Sequence, residues 1–467
     1  MKVPSNMTSK TRLHVASLPL LTGLGLAACS DYESTPPNTP APPSGTIGTL
    51  NAAGAGGTPA PGTTGTAGAA TSSPSTEGNP MPAGIAGAAN TGMEPTGAGT
   101  AGSGAMMNPG AAGAAGSGPG PVLTRGTGPC DIYAAANTPC VGAYSMVRAL
   151  SSTYTGALYQ VRAGAPNALQ NTGAGGQTQD IGMLANGFAD TAAQIAFCAT
   201  QTCTVSVLYD QSGQGNNLTV AKAGCYGCDF NPPDTACTDD FESTATAATL
   251  TVGGNAVYGL FMEDHEGYRN NQAVNTPEGE EEMGAYSVVA GTAARQQVSP
   301  GCCWNFGIAS RDNCFGPTGM MASLMFGRAY WGRGAGNGPW FMGDFEAGVW
   351  AGGVNGNING SQAYDTNPNN PSMTMNFAFG LLKTRPNNYA LRMGDAQQGN
   401  LTTAYDGMTP TVMNRWQMAG GITLGIGGDN SNHGSGTFFE GVITAGRPSD
   451  ATDVAVYQNV QAAGYGR

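Results

Sequence analysis

The sequence predicts an all-β fold, an antiparallel sandwich or barrel with long loops, on three observations. Short alternating or β-branched runs recur between Gly, Asn and Asp clusters over about 340 residues, from Gly128 to Arg467. Gly supplies 74 of the 467 residues and charged residues only 10%, against roughly 7% and 25% in ordinary chains. That composition excludes a helix bundle, which needs many Glu, Lys, Arg and Leu. Finally, no internal repeat and no second linker interrupts the stretch, so it reads as one large domain with a single core.

Residues 1–28 read as a signal peptide. Lys2, Lys10 and Arg12 form a positive start, and Leu13 to Ala28 is a mostly apolar run that is shorter than the ~20 residues a membrane-spanning helix needs. The run ends in Leu26-Ala27-Ala28-Cys29, which resembles a bacterial lipobox, a motif whose cysteine, here Cys29, would become the lipidated first residue of the mature protein. The alternative is a chance cysteine after an ordinary signal. Either way the chain is exported, and Ser30 in place of Asp favours outer-membrane sorting.

Residues 29–127 are Gly, Ala, Pro, Thr and Ser with almost no charge and Tyr32 as the sole aromatic. Such a segment cannot bury enough apolar surface to offset its backbone entropy, so a disordered linker is expected. As a flexible coil it reaches about 50–60 Å, a tether between an anchor and a folded domain. Gly does not recur strictly every third residue, which excludes collagen.

The domain 128–467 begins where composition changes at Gly128-Pro129-Cys130. Strands are predicted at 204–209, 249–252, 285–290 and 441–446, each beside turn-forming residues. Helices are predicted at 190–198 and at 450–463, the latter with Ser449 as N-cap.

Several chemistries can be set aside. Net charge is −12, with 18 basic residues in the chain, so no nucleic-acid partner is expected. His14 falls in the signal, leaving His265 and His433, too few to favour a His-based triad or a two-His zinc site. The glycine runs at 332–336 and 425–428 follow no βαβ pattern, so phosphate loops are not expected. Asp429 to Glu440 has Asp, Gly and Glu at positions 1, 6 and 12 of a calcium loop, but position 5 is His433 and no helix flanks it. The acidic run Glu278, Glu280, Glu281 and Glu282 reads as a solvated loop. Cys225-x-x-Cys228 would suit zinc, but disulfides are favoured in an exported chain. No metal or cofactor is expected.

What remains is carboxylate chemistry. If Met342 to Trp350 is a strand, Asp344 and Glu346 lie two apart and face the same side, flanked by aromatics. Asp429 stands where a later strand leaves for a loop. Two acids in a charge-poor cleft are what glycoside hydrolysis requires, one ionised and one protonated. They also suit turn capping, and spacing alone favours neither reading.

Beyond these single sites, blocks of sequence occur in order along the domain: 128–133, 158–162, 208–213, 267–271, Gly301-Cys302-Cys303, Asp344-Phe345-Glu346 and 425–432. Together they resemble the catalytic domain of the α-L-arabinofuranosidases of glycoside hydrolase family 54. The resemblance implies a β-sandwich of concanavalin or jelly-roll type and a retaining mechanism with Glu346 as nucleophile and Asp429 as acid/base. It implies that Asp344, Gly428, Trp331 and a disulfide between neighbours Cys302 and Cys303 hold the sugar, although two separate structural bridges would also explain that pair. It further implies the pairs Cys130–Cys140 and Cys198–Cys203, leaving Cys225, Cys228, Cys237 and Cys314 with three connectivities.

Two departures matter. Ala347 stands where the family usually has Asn, so a side-chain contact to sugar is lost. The arabinose-binding β-trefoil of fungal relatives is not found by Arg467, and the lipid tether would take its place. Three functions are expected to compete: an exo-acting arabinofuranosidase on arabinose-containing plant polysaccharides, another furanosidase or dual arabinosidase/xylosidase, and a surface lectin without turnover.

Overall fold

A computed structural model describes residues 126–224, 239–292, 303–314, 316–328, 333–346, 348–355 and 366–467. The signal and nearly all of the linker, Trp331, Ala347, and Cys225, Cys228, Cys237 and Cys302 lie outside the described residues.

Two large, mainly antiparallel sheets form the domain. One has eight strands, running Gln398–Met408, Asn388–Asp395, Ala378–Arg385, Met283–Val289, Gly436–Ala445, Asn255–Met262 and Ala248–Val252, with Cys140–Ser145 also paired to Gly436–Ala445. The other has ten: Val349–Trp350, Trp340–Asp344, Ala322–Gly327, Asn305–Ala309, Gly421–Leu424, Tyr268–Asn270, Leu218–Val220, Cys203–Leu208, Tyr159–Ala163 and Gln177–Ile181. Met283–Val289, inside the first sheet, is buried at every position, whereas the edge strand Gln398–Met408 is mostly exposed and rich in Gly, Thr and Asn. Burial thus follows position in the sheet.

The sheets close on one another through rings set against glycines. A Cβ on Gly380 would stand 2.3 Å from the Phe341 ring, and one on Gly441 would stand 2.7 Å from Phe306. Both glycines belong to the first sheet and both rings to the second, so the missing side chains let the layers meet. Phe306 also packs on Phe438 at 5.5 Å and edge-on to Tyr144 at 6.2 Å.

The predicted strands appear as Cys203–Leu208, Ala248–Val252, Met283–Val289 and Gly436–Ala445. The predicted helices are Thr191–Cys198 and Asp450–Ala462. Ser449 caps the latter, its Oγ accepting the Thr452 N–H at 3.1 Å. Lys383 and Arg392, buried on neighbouring strands, hold that helix through Asp453 at 2.7 and 2.8 Å. A third helix, Pro129–Ala135, falls where the sequence marked only a boundary. Its start is fixed by Pro129 and by Asp131, which accepts the Gly128 N–H at 2.7 Å. Disulfides Cys130–Cys140 and Cys198–Cys203 are both present, as expected of an oxidising compartment.

Glu440, the last position of the calcium-like run, lies inside the strand Gly436–Ala445 and belongs to the core. It receives Arg148 in a two-pronged pair at 2.6 and 2.7 Å and the hydroxyls of Tyr286 and Tyr465 at 3.1 and 2.9 Å. Removing the guanidinium leaves a carboxylate buried without its counter-charge. Arg148→Met is therefore expected to destabilise the domain by about 3–5 kcal/mol, read as a lower midpoint in denaturant unfolding.

Candidate active site

The site is built on four neighbouring strands of the ten-stranded sheet. Asn305–Ala309 pairs with Ala322–Gly327, which pairs with Trp340–Asp344, placing Ser323 opposite Asp344. On its other side Asn305–Ala309 pairs with Gly421–Leu424, from which the loop carrying Asp429 departs.

The strand containing Asp344 stops at that residue and resumes only at Val349. This corrects the expectation that Asp344 and Glu346 share a strand face through pleat alternation. Glu346 instead takes a left-handed backbone, φ +76°, uncommon for a residue with a side chain and concentrated at functional sites. The bend is fixed on both sides. Phe345 N–H donates to Gly348 O at 3.1 Å, and Phe345 O accepts Gly319 N–H at 2.8 Å. Its ring packs against Trp350, Tyr389 and Trp416 at 5.6, 5.0 and 5.0 Å. The burial of one phenylalanine thus positions an acid on either side of it.

Asp344 is held firmly. Asn305 donates to its Oδ2 at 2.8 Å and Glu346 N–H to its Oδ1 at 3.2 Å. Glu346 is held at one oxygen: Oε1 accepts Gly316 N–H at 3.2 Å, while Oε2 is buried without a protein hydrogen bond. Asp429 follows the same pattern, Oδ1 accepting Ser431 N–H at 2.9 Å and Oδ2 making no protein hydrogen bond.

Backbone proximity brings the two acids together. A Cβ on Gly428 would stand 2.7 Å from Glu346 Oε2 and 2.4 Å from Met321 Sδ, so only glycine lets the Asp429 loop pass this close. The loop is tight: Gly427 N–H donates to Ser431 O at 2.8 Å, and Asn430 adopts φ +70°. Cys303 packs on it, since a Cβ on Gly427 would lie 3.4 Å from the Cys303 Cβ. Cys303 and Cys314 are each disulfide-bonded, to partners outside the described residues.

Asp344, Glu346 and Asp429 are only 4%, 7% and 5% exposed. Burial raises all three carboxyls above the usual range. Asp344 is pushed up to about 7 by desolvation and then by the charge of Asp429, against the hydrogen bonds from Asn305 and Glu346 N–H. Glu346 is raised by desolvation and by the charges of Asp429 and Asp344. Asp429 is raised by desolvation, opposed by hydrogen bonds from Ser431 and by Arg269. Carboxyls in one another's field ionise one at a time, so the three do not titrate independently.

Of the sequence-predicted site residues, the fold gathers Glu346, Asp429, Asp344, Gly428 and Cys303; Cys302 and Trp331 lie outside the described residues. Asn305, Gly316 and Ser310 were not singled out, and Arg269 was noted only within its sequence block. For Arg269 a signal existed, a charge in the middle of a short strand in a charge-poor domain. Among the described residues no group of three or more His, Cys, Asp or Glu is arranged to hold a metal. His265 and His433 meet edge-on at 5.6 Å.

A β-sandwich with buried, mutually coupled carboxylates at its strand ends defines a class of protein equipped for acid–base and nucleophilic chemistry on an uncharged substrate such as a glycoside. Residues 129–466 match the model of the family described as "Alpha-L-arabinofuranosidase B, catalytic", and the chain belongs to that family. It is 42% identical over 341 residues to an "Arabinofuranosidase/B-xylosidase" of Trichoderma koningii and to an "Alpha-L-arabinofuranosidase" of Hypocrea jecorina, covering 72% of this chain and 63% of each relative. It therefore spans about three fifths of the length of these curated relatives. Among solved structures it resembles an arabinofuranosidase complexed with arabinofuranosyl-α-1,2-xylobiose, with TM-score 0.64 and 40% identity over 73% of this chain and 66% of that one. A GH54 α-L-arabinofuranosidase soaked with a cyclic sulfate inhibitor matches with TM-score 0.63, 40% identity and the same coverage.

Proposed function

We propose that the chain is an exo-acting, retaining α-L-arabinofuranosidase that removes terminal arabinofuranosyl groups from arabinoxylan- or arabinan-type polysaccharides. The observation that carries this reading is the pair Glu346 and Asp429. Each is buried, fixed at one oxygen and left with the other oxygen unengaged, that of Glu346 lying beside Gly428, the residue before Asp429. A retaining site has its two acids ~5–5.5 Å apart.

In the first step a Glu346 oxygen attacks the anomeric carbon. The glycosidic C–O bond breaks, and the proton of Asp429 passes to the departing oxygen. In the second, Asp429 takes a proton from water, whose oxygen displaces Glu346 and releases arabinose. Asp344, Gly428, Trp331 and Cys302–Cys303 hold the sugar, and Ala347 contributes no polar side chain to it. No cofactor enters either step. The substrate class is supported by the solved relative bound to arabinofuranosyl-xylobiose. The relative named as both arabinofuranosidase and β-xylosidase favours a second activity on β-xylosides.

The leader 1–28, the lipid anchor at Cys29 and the linker 29–127 would make the domain 128–467 a tethered enzyme at the cell envelope, with Ser30 favouring the outer membrane. The test is hydrolysis of 4-nitrophenyl α-L-arabinofuranoside by the full chain, with the configuration of the first-formed sugar read by NMR. Turnover giving the α-anomer is expected. Arabinose binding without turnover would identify a lectin instead, and a β-anomer would overturn double displacement. Release from the matching β-xyloside decides the second activity.

A further inference from the structure

We propose that Arg269 is a positioning residue of the reaction: its guanidinium ties down the loop that carries Asp429 and supplies the buried positive charge against which Glu346 ionises. The inference rests on the roles just given to Glu346 and Asp429.

Arg269 sits in the strand Tyr268–Asn270, opposite Thr423 on one side and Thr219 on the other, and is 4% exposed. Nη1 donates to Gly427 O at 3.1 Å, Nη2 to Ser310 O and Oγ at 2.7 and 3.1 Å, and Nε to Asn271 Oδ1 at 2.8 Å. Ser310 Oγ in turn donates to Gly428 O at 3.0 Å. Two successive carbonyls immediately before Asp429 are thus held, one by the arginine and one by the serine it contacts.

Every one of those acceptors is neutral. Among the described residues no carboxylate pairs directly with Arg269. The negative groups whose charge acts on it are Glu346 on the bend, Asp429 on its loop, Asp312 beyond Ser310, and Asp240. Desolvation pushes the guanidinium down to about 10 against the pull of those four acids. Neutral donors could tie the same carbonyls without the cost of burying an ion. A charge at this place, in so charge-poor a domain, is explained by what it does for the acids around it.

The test is the pH profile of kcat/KM on an aryl arabinofuranoside. Arg269→Gln removes the charge and leaves an amide that ends short of Gly427 and Ser310, so it loses the fork as Arg269→Lys does and differs from it in charge. Both Glu346 and Asp429 then become harder to ionise. The acid limb, where Glu346 must lose its proton, and the alkaline limb, where Asp429 must keep its own, are both expected to move up, by about one unit or more. Arg269→Lys keeps the charge and loses the fork. Its limbs are expected to stay within a few tenths of a unit of the parent's while kcat falls. A merely structural arginine would lower the melting temperature and the height of the profile without moving it. The proposal is overturned if the Gln variant keeps the parent limbs, or if the Lys variant's limbs move as far as the Gln variant's. Should Arg269→Gln not fold, Arg269→Met, which also removes the charge, takes its place with the same readout: limbs moved up support the proposal, and limbs held overturn it. Failure here is separable from failure of the catalytic assignment, because Glu346→Ala tests that assignment independently of Arg269.

Discussion

Glu346→Ala is expected to lower kcat on an aryl α-L-arabinofuranoside by about 10⁴-fold or more while the domain still folds. The size of the loss follows from the absence of a local substitute. Asp344 is two residues away, but both of its oxygens are engaged, by Asn305 and by the Glu346 N–H. Asp429 Oδ1 is committed to Ser431 N–H. Only Glu346 combines an unengaged oxygen with a bend that presents it beside Gly428. Because φ +76° is strained for any residue with a Cβ, Glu346→Gln is the companion variant. It keeps the shape and the Gly316 contact and is expected to be as inactive. The direct measurement is mass spectrometry of the parent after a mechanism-based furanoside inactivator. A single adduct is expected on the peptide containing Glu346. A label elsewhere, or near-parental turnover in both variants, defeats the assignment.

Much of this site was legible before the fold was known, and what was not has a physical reason. The all-β class could be read because alternating runs between turn residues carry their own period, as at Cys203–Leu208 and Met283–Val289. Ser449 could be read as a cap because capping is a local hydrogen bond. The helix Pro129–Ala135 could not, since seven residues show too little period to stand out. Asp344-Phe345-Glu346 was found by residue type, but its geometry was misjudged. Pleat alternation would put the two acids on one face of a continuous strand, whereas anchoring of Phe345 among Trp350, Tyr389 and Trp416 breaks the strand. Two of those partners, Tyr389 and Trp416, stand 44 and 71 positions away, beyond any local window. The same holds for Asn305 on Asp344 and Gly316 on Glu346: the partners come from other strands and loops. Glu440 shows the converse. Its spacing mimicked a metal ligand, and a partner 292 residues distant, Arg148, claimed it for the core.

Asp429→Ala is expected to separate substrates by their leaving groups. A nitrophenolate departs without help, so bond cleavage on the aryl substrate should fall little. An arabinosyl side chain on xylo-oligosaccharide leaves as an alkoxide and needs the proton, so its loss is expected at about 10²–10⁴-fold. With the base also gone, the arabinosyl ester on Glu346 forms faster than water removes it. The aryl substrate should therefore show a burst followed by a slow steady state and a lowered KM. Azide, which attacks without general-base help, should restore turnover and yield arabinosyl azide with the α configuration. The pH profile carries an independent sign. An acid must be protonated to act, so in the parent the rate falls as pH rises through the carboxyl's titration, and burial that raises Asp429 moves this fall toward neutrality. In Asp429→Ala the alkaline fall should disappear for the aryl substrate, while the acid limb set by Glu346 remains close to the parent's, since Asp429 is still protonated and uncharged where Glu346 titrates. Equal losses on aryl and oligosaccharide substrates, or an alkaline limb that survives the substitution, would mean that another group supplies the proton and that Asp429 serves its loop alone.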